Sequence, residues 1–274
     1  MGKGGPVFDI NRRMYDASSM KAYMRCPTYF MNSYLRSLEP KEESAALDYG
    51  TRMHSSLAVL YRSGGDVSLA LKEWEGFTLV TDKRSRERGE LTTREYAKRY
   101  PPESWPKIVA IEQDFALEMP NGAMFSGRMD QVVEEQGEIW VRDHKTTSYL
   151  SGVWLESFSP DIQMDGYSWA CREIFGRCSG VIIDGILVSK TKNDFARIRS
   201  PRSPTMLDEF PSQFATVVAR MERDILTKNW MKSTGNCYSF YNRACDFVPL
   251  CKFGDSVIEN RYRLKEVRDG EEGE

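Results

Sequence analysis

Residues 123 to 145, AMFSGRMDQVVEEQGEIWVRDHK, constrain the fold more than any other part of the chain. Two β-rich runs flank Glu134-Glu135-Gln136-Gly137, and Gly137 can take the positive φ of a tight turn, so the stretch reads as a hairpin. Strand alternation puts Ile139, Val141, Asp143 and Lys145 on one face of the second run and Trp140, Arg142 and His144 on the other. Asp143 and Lys145 thus share the face that the aliphatic residues bury, a costly place for charge unless something there uses it. A two-residue turn at Gln136-Gly137, or a four-residue turn at 135–138, sets Asp130 directly opposite Asp143; a three-residue turn would break that pairing. Carboxylates so paired lie about 5 Å apart and repel. A bound cation removes the objection, and two carboxylates beside a lysine suit Mg²⁺, which takes one or two carboxylates together with water and phosphate oxygens.

Gly127-x-x-Asp130, Asp143-x-Lys145 and Gln163-x-x-x-Tyr167, in that order, resemble the PD-(D/E)XK nuclease superfamily. The histidine in YGTRMHSSL and the Cys-Pro in SSMKAYMRCPTYFMNSYL are similar to the RecB-type branch, which includes the AddAB nuclease domains and the CRISPR adaptation nucleases. The resemblance covers most of residues 18 to 251. It implies an α/β fold with a restriction-endonuclease-like core, a mixed central sheet flanked by helices, and a cysteine-containing C-terminal segment packed near the first helix.

The same resemblance implies phosphodiester hydrolysis with Mg²⁺ or Mn²⁺. His54, Asp130, Asp143 and the backbone carbonyl of His144 would hold the metal, with the His144 ring directed away. Lys145 would orient the attacking water, and Gln163 and Tyr167, four apart on a helix, would face the lysine or a phosphate. Asp143 stands where many relatives have Glu, which the family pattern allows. Glu112 falls where relatives often keep an acid near the metals, but a solvated helix face explains it better. The implied activity is an exonuclease on single-stranded DNA ends in recombination or repair, phage-encoded or bacterial, working with a helicase or recombination partner. The alternatives are an endonuclease or end-trimming subunit of a recombination or CRISPR adaptation complex, and a DNA-binding subunit with an inactive site.

Six cysteines in a chain of cytoplasmic character point to thiols or metal ligands rather than disulfides. Cys26, Cys237, Cys245 and Cys251 match, one early and three late, the 4Fe-4S cysteines of RecB-type relatives, although the gap between Cys237 and Cys245 is longer than in those relatives. Zinc would accept the same four thiolates. Cys171 and Cys178 read as buried or free thiols.

The net charge of −2 offers no global attraction to nucleic acid, so DNA contacts must come from local patches. Arg84, Arg86 and Arg88 in one basic run, and Lys190, Lys192, Arg197 and Arg199 in another, are the candidates. Tyr23, Tyr29 and Tyr34 could stack bases but suit a helix interface better. No apolar run reaches membrane-spanning length, since GVIIDGILV is short and interrupted by Asp184, and the N-terminus has no signal-peptide pattern; a soluble, cytoplasmic protein is expected.

At 274 residues the chain is long enough for one nuclease domain over 17–255, between a flexible lead-in at 1–16 and a charged tail at 256–274. The pattern predicts a helix from Ser18 or Ser19 to about Leu38, and a second near Glu43 to Arg62 with His54 on its inward stripe. A mobile basic segment with a short helix is expected over Thr81 to Arg99, and residues 104 to 117 should start as a helix and become a strand. A helix from Pro160, a buried strand in CSGVIIDGILVSK and a long amphipathic helix broken or delayed by Pro211 complete the reading.

Overall fold

The computed structural model describes residues 8–42, 44–81, 83–238 and 244–265. The strands are β1 (Met14–Asp16), β2 (Leu38–Pro40), β3 (Lys107–Glu118), β4 (Met124–Glu135), β5 (Glu138–Thr147), β6 (Gly180–Val188), β7 (Asn193–Pro201) and β8 (Tyr262–Leu264). The helices before the hairpin are α1 (Ala17–Arg25), α2 (Pro27–Phe30), α3 (Ala45–Arg62), α4 (Val67–Leu71) and α5 (Arg86–Arg99). Those after it are α6 (Gly152–Glu156), α7 (Ile162–Phe175), α8 (Pro204–Thr227), α9 (Val248–Phe253) and α10 (Ile258–Arg261).

The central sheet is mixed, with order β1-β4-β5-β6-β7 and β3 paired to β4. β4 and β5 are antiparallel, β5 and β6 parallel, and β6 and β7 antiparallel. The hairpin closes through Gln136 and Gly137, both at positive φ, a two-residue turn whose twist matches that of the strands. Its register pairs Gln131 with Arg142 and Glu135 with Glu138, as the sequence predicts. β6 is buried along its whole length, as an aliphatic strand parallel to its neighbour should be.

Contacts divide the chain into two compact units, with the division falling inside β3 and β4. One comprises Met1–Glu43, Phe115–Gly127 and Glu209–Glu274; the other comprises Ser44–Asp114 and Arg128–Asp208. In the second unit, Tyr49, Met53, Leu57, Trp74, Tyr96 and Ile186 form the main core. In the first, β2 pairs with β8 over a small core of Leu38, Phe247, Leu250 and Tyr262. The stretch just before the cysteine segment meets the end of α1 and α2, where Asn236 donates to the Arg25 carbonyl at 2.7 Å and Thr28 to the Met231 carbonyl at 2.9 Å. Tyr23, Tyr29 and Tyr34 are packing residues: Tyr23 donates to Asp224, Tyr29 meets Phe247 edge-on and Tyr34 stacks on Phe30.

Several elements differ from the sequence reading. The first helix stops at Arg25, because Cys26 is extended and Pro27, with no N–H, starts a new helix. Its cap is Asp16, which accepts from the Ser19 N–H at 2.6 Å. Met14–Asp16 form a strand against Met124–Ser126 with Tyr15 fully buried, so this part of the lead-in is structured; residues 1–7 lie outside the described residues. Likewise Tyr262–Leu264 belong to a sheet, whereas the acidic end of the tail lies outside the described residues.

The segment expected to be mobile contains the full helix α5. Its inward face is made of hydroxyls instead of aliphatic groups: Thr92 bonds to Tyr49, and Thr93 bonds to Ser56 and accepts from the Trp74 indole at 3.0 Å. Residues 107 to 118 are strand throughout, with no helical start. α8 runs unbroken through Pro211, because Phe210, Phe214, Val218 and Met221 bury one face and outweigh a single missing hydrogen bond. Among the described residues no helix is long and apolar enough to cross a membrane.

Gly89 lets α5 lie against Trp74, since a Cβ there would come within 2.3 Å of the indole ring. Gly89→Ala should destabilise the protein by about 1–3 kcal/mol through overpacking, despite the better helix propensity of alanine. Urea denaturation checks this; equal or greater stability would contradict the packing.

Candidate active site

Four elements, α3, β4, β5 and α7, bring polar side chains together in the second unit. α3 lies close to β5 at Gly50, where a Cβ would stand 3.4 Å from the Thr146 hydroxyl. His54, one turn further along α3, places Nδ1 3.1 Å from Oδ2 of Asp130 on β4. The same oxygen accepts the His144 backbone N–H at 2.8 Å, which ties the end of β4 to β5. The paired ladder ends at Gln131 and Arg142, so its register, carried one residue further, faces Asp130 toward Asp143, and the two carboxylates are near enough to repel. Lys145 pairs with Asp143 at 2.6 Å and reaches Gln163 at 3.5 Å. The Asp161 cap, which accepts from the Gln163 N–H at 2.9 Å, fixes Gln163 in the first turn of α7. Tyr167 follows one turn later, buried in that helix.

The electrostatics follow from two acids and two bases at close range. Burial raises the Asp130 carboxyl, but the charge and hydrogen bond of His54, with His144 and Lys145, outweigh it and hold Asp130 below its ordinary value. Asp143 moves the opposite way: burial lifts it, Lys145 opposes, and the Asp130 charge adds to the lift. Burial disfavours the charged forms of His54 and Lys145, yet the carboxylates override it and raise both.

Glu112, placed on a helix face by the sequence, lies on β3 with φ 53°. A left-handed backbone is uncommon for a residue with a Cβ. Its carboxyl is raised by burial and by the nearby Asp130, and Arg128 stands 3.6 Å from it.

The other face of β5 is buried as well, which the alternation pattern did not reveal. His144 and Arg142 sit among Asp184, Tyr96, Tyr61 and Gln131, all nearly inaccessible. Asp184 on β6 accepts from the Tyr96 hydroxyl and from Arg197 at 2.9 Å through one oxygen, and Nδ1 of His144 stands 3.2 Å from that oxygen without a well-angled hydrogen bond. Arg197 also donates to the Tyr61 and Tyr96 hydroxyls and covers the Tyr100 ring at 3.5 Å. Arg197 is therefore not the surface DNA contact suggested by its basic run; a buried carboxylate captures it. An aspartate inside an otherwise apolar strand was the available signal that a cation must lie opposite.

The remaining basic candidates divide. Arg88 donates to Asn193, Arg86 pairs with Glu90 and Arg199 pairs with Glu135, while Lys190 and Lys192 are exposed on the β6–β7 turn. Arg84 is half-buried before α5.

Among the described residues, no group of three or more His, Cys, Asp or Glu side chains is arranged as a metal cage. Asp130 is engaged by His54 and a backbone N–H, and Asp143 by Lys145. The donor set nevertheless suits a hard divalent cation: Oδ2 of Asp143 is buried and meets the lysine in an ion pair without a well-angled hydrogen bond, beside a second carboxylate and a histidine. In the first unit Cys26 lies within electrostatic range of Cys245 and Cys251, and Cys251 of Cys237. Residues 239–243, between Cys237 and Cys245, lie outside the described residues.

Residues 17–252, which carry this whole constellation, match the family model of the PD-(D/E)XK nuclease superfamily. The chain belongs to that superfamily. A crystal structure of a candidate exonuclease from Eubacterium rectale superposes with a TM-score of 0.54 at 18% identity, covering 82% of this chain and 86% of that one. It supports the restriction-endonuclease-like fold. A second crystal structure, of a protein called SSO0001, covers 77% of this chain and 85% of its own at 14% identity; its TM-score of 0.30 is too low to bear on the fold. No curated protein matches. Membership in the superfamily makes the chain a nuclease with DNA as its substrate class, and members of this superfamily generally use Mg²⁺ or Mn²⁺.

Asp184→Asn should cost about 3–5 kcal/mol in urea denaturation at neutral pH, because the Arg197 charge stays buried without its partner. Burial raises the Asp184 carboxyl, but the His144 hydrogen bond and the Arg197 charge hold it below its ordinary 3.8. Its contribution is then complete above 3.8 and is lost as the pH falls below, so the gap between wild type and variant should narrow in acid. A gap that widens there would contradict the assignment.

Proposed function

We propose that the protein is a metal-dependent deoxyribonuclease of the RecB-type branch, acting as an exonuclease on single-stranded DNA ends in the cytoplasm. The observation that carries the catalytic part is the convergence of Asp130 and Asp143 on adjacent strands, with His54 against the first and Lys145 against the second. His54, Asp130, Asp143 and the His144 carbonyl would hold Mg²⁺ or Mn²⁺, with Glu112 at the edge of the same acidic group. A divalent cation bound there would neutralise charge on the phosphate and acidify a water molecule.

The chain's own groups have distinct tasks. The carboxylates raise Lys145, which favours its charged form and suits it to donate hydrogen bonds to the water and the phosphate. Gln163 holds the ammonium from the other side. Tyr167 completes the polar edge of α7. The Asp184 network keeps His144, and with it the strand that carries Asp143 and Lys145, in a fixed position. The choice of exonuclease over endonuclease follows the branch resemblance and the activity named for the Eubacterium rectale protein.

The four cysteines are proposed to hold a 4Fe-4S cluster, with zinc as the competing occupant. Supporting this are their gathering in one unit and the Ser233 N–H, which points at the Cys26 sulfur at 3.4 Å. A cluster there would fasten the C-terminal segment to α1, and its loss would reduce stability before chemistry.

Lys145→Ala should lower kcat roughly 100- to 1,000-fold on end-labelled single-stranded DNA with Mg²⁺ or Mn²⁺, with its circular dichroism spectrum as the control for folding. Chelator should abolish wild-type cleavage. Well-folded wild type that leaves every substrate intact would reject the catalytic reading and favour a DNA-binding subunit. For the cysteines, Cys26→Ser purified anaerobically should lose bound iron and its visible absorption together; a wild type containing zinc and no iron would assign the site to zinc.

A further inference from the structure

We propose that a groove formed by the end of α3, the last turns of α5 and the segment before β3 seats one unpaired nucleotide of a DNA strand. It deepens the nuclease reading and rests on it for the identity of the polymer. The groove is a cavity of about 410 Å³ within the second unit, in the range of ligand sites. Leu60, Ala97 and Pro102 make its apolar lining. Trp105 adds a half-buried indole that packs against Tyr61 on the core side at 4.5 Å and donates its N–H to the Tyr100 carbonyl at 2.8 Å, which leaves the exposed part of its ring for the groove. Gly65 closes one side: it lies at φ 102°, and a Cβ there would come 2.5 Å from the Pro102 ring.

The rim carries the charge. Arg94 and Lys98 stand one turn apart on α5, both exposed, and neither has an ion-pair or hydrogen-bond partner among the described residues. Earlier on the same helix, Arg86 and Arg88 are taken up by Glu90 and Asn193. The uncommitted positive charge of α5 is thus concentrated at the groove. A flat apolar surface beside two unpaired cations is the chemistry of a base and its phosphates. The base must be unpaired, because a paired base presents no face to a concave site.

Its position also fits. Leu60 lies six residues beyond His54 on α3, roughly 9 Å along the axis. Trp105 contacts Tyr61 at 4.5 Å, and Tyr61 stacks over His144 at 6.0 Å. The groove thus lies within two turns of His54 along α3, and the strand is taken to follow that helix from the carboxylates.

The test measures fluorescence anisotropy of labelled oligothymidylate on the full chain, in chelator so that nothing is cut, over a range of salt. Arg94→Ala/Lys98→Ala changes two exposed side chains, and its melting curve confirms that it folds. Loss of two phosphate contacts should weaken binding about tenfold and reduce the slope of log K against log salt by about 1.4. Wild type should also show quenching of tryptophan fluorescence, weaker in Trp105→Leu. Equal affinity and slope in the double variant would overturn the proposal, as would failure of wild type to bind the oligonucleotide. An equal loss on blunt duplex DNA would overturn the claim of an unpaired base. Cleavage by wild type with Mg²⁺ is scored separately: cleavage with no effect of the double variant on binding removes the groove and keeps the nuclease, whereas the converse keeps the groove and removes the nuclease.

Discussion

A two-residue turn at Gln136 and Gly137 governs the placement of every charged group in the candidate site. Side chains in a strand alternate, so a slip of one residue would send Asp143 and Lys145 to the face that holds Arg142 and His144. Positive φ at both turn residues selects the tight connection, and the ladder from Glu135–Glu138 to Gln131–Arg142 transmits it to Asp130 and Asp143. Helix packing then adds what the hairpin lacks: α3 brings a histidine to one carboxylate, and α7 brings an amide to the lysine.

β5 consequently carries charge on both faces, and the two faces solve the same problem differently. On one, acids and bases alternate at short range and leave a carboxylate oxygen suited to a cation. On the other, Tyr96, Arg197 and His144 gather at one oxygen of Asp184, and its second oxygen is buried without a hydrogen-bond partner among the described residues. His144 links them, since its N–H serves Asp130 and its ring serves Asp184. The two clusters thus lie back to back on one strand, and both keep buried polar atoms without a hydrogen-bond partner among the described residues, a costly state in a low-dielectric interior.

Much of this was legible in the sequence because the determinants are local. The turn residues fixed the register, the YGTRMH stripe put His54 inward, and the order of motifs pointed to the superfamily. What escaped was non-local or used the wrong chemistry. α5 looked mobile because Thr92 and Thr93, not aliphatic residues, face the core, and a hydrophobic period does not register hydroxyl pairing. β3 looked helical at its start because Glu112 and Gln113 interrupt its alternation. Asp184 announced that it needed a partner, but only the packing of β6 on β7 shows that the partner is Arg197, one member of a basic run that otherwise resembles a DNA-binding patch.

The backbone at Glu112 has an evolutionary consequence. A residue with a Cβ held at φ 53° is strained by an amount that glycine would relieve. Glycine would also remove the only part of that residue that interacts with Asp130. Selection for a sturdier strand and selection for a carboxylate thus pull this position in opposite directions, and a lineage that stopped using the acid would be free to drift toward glycine.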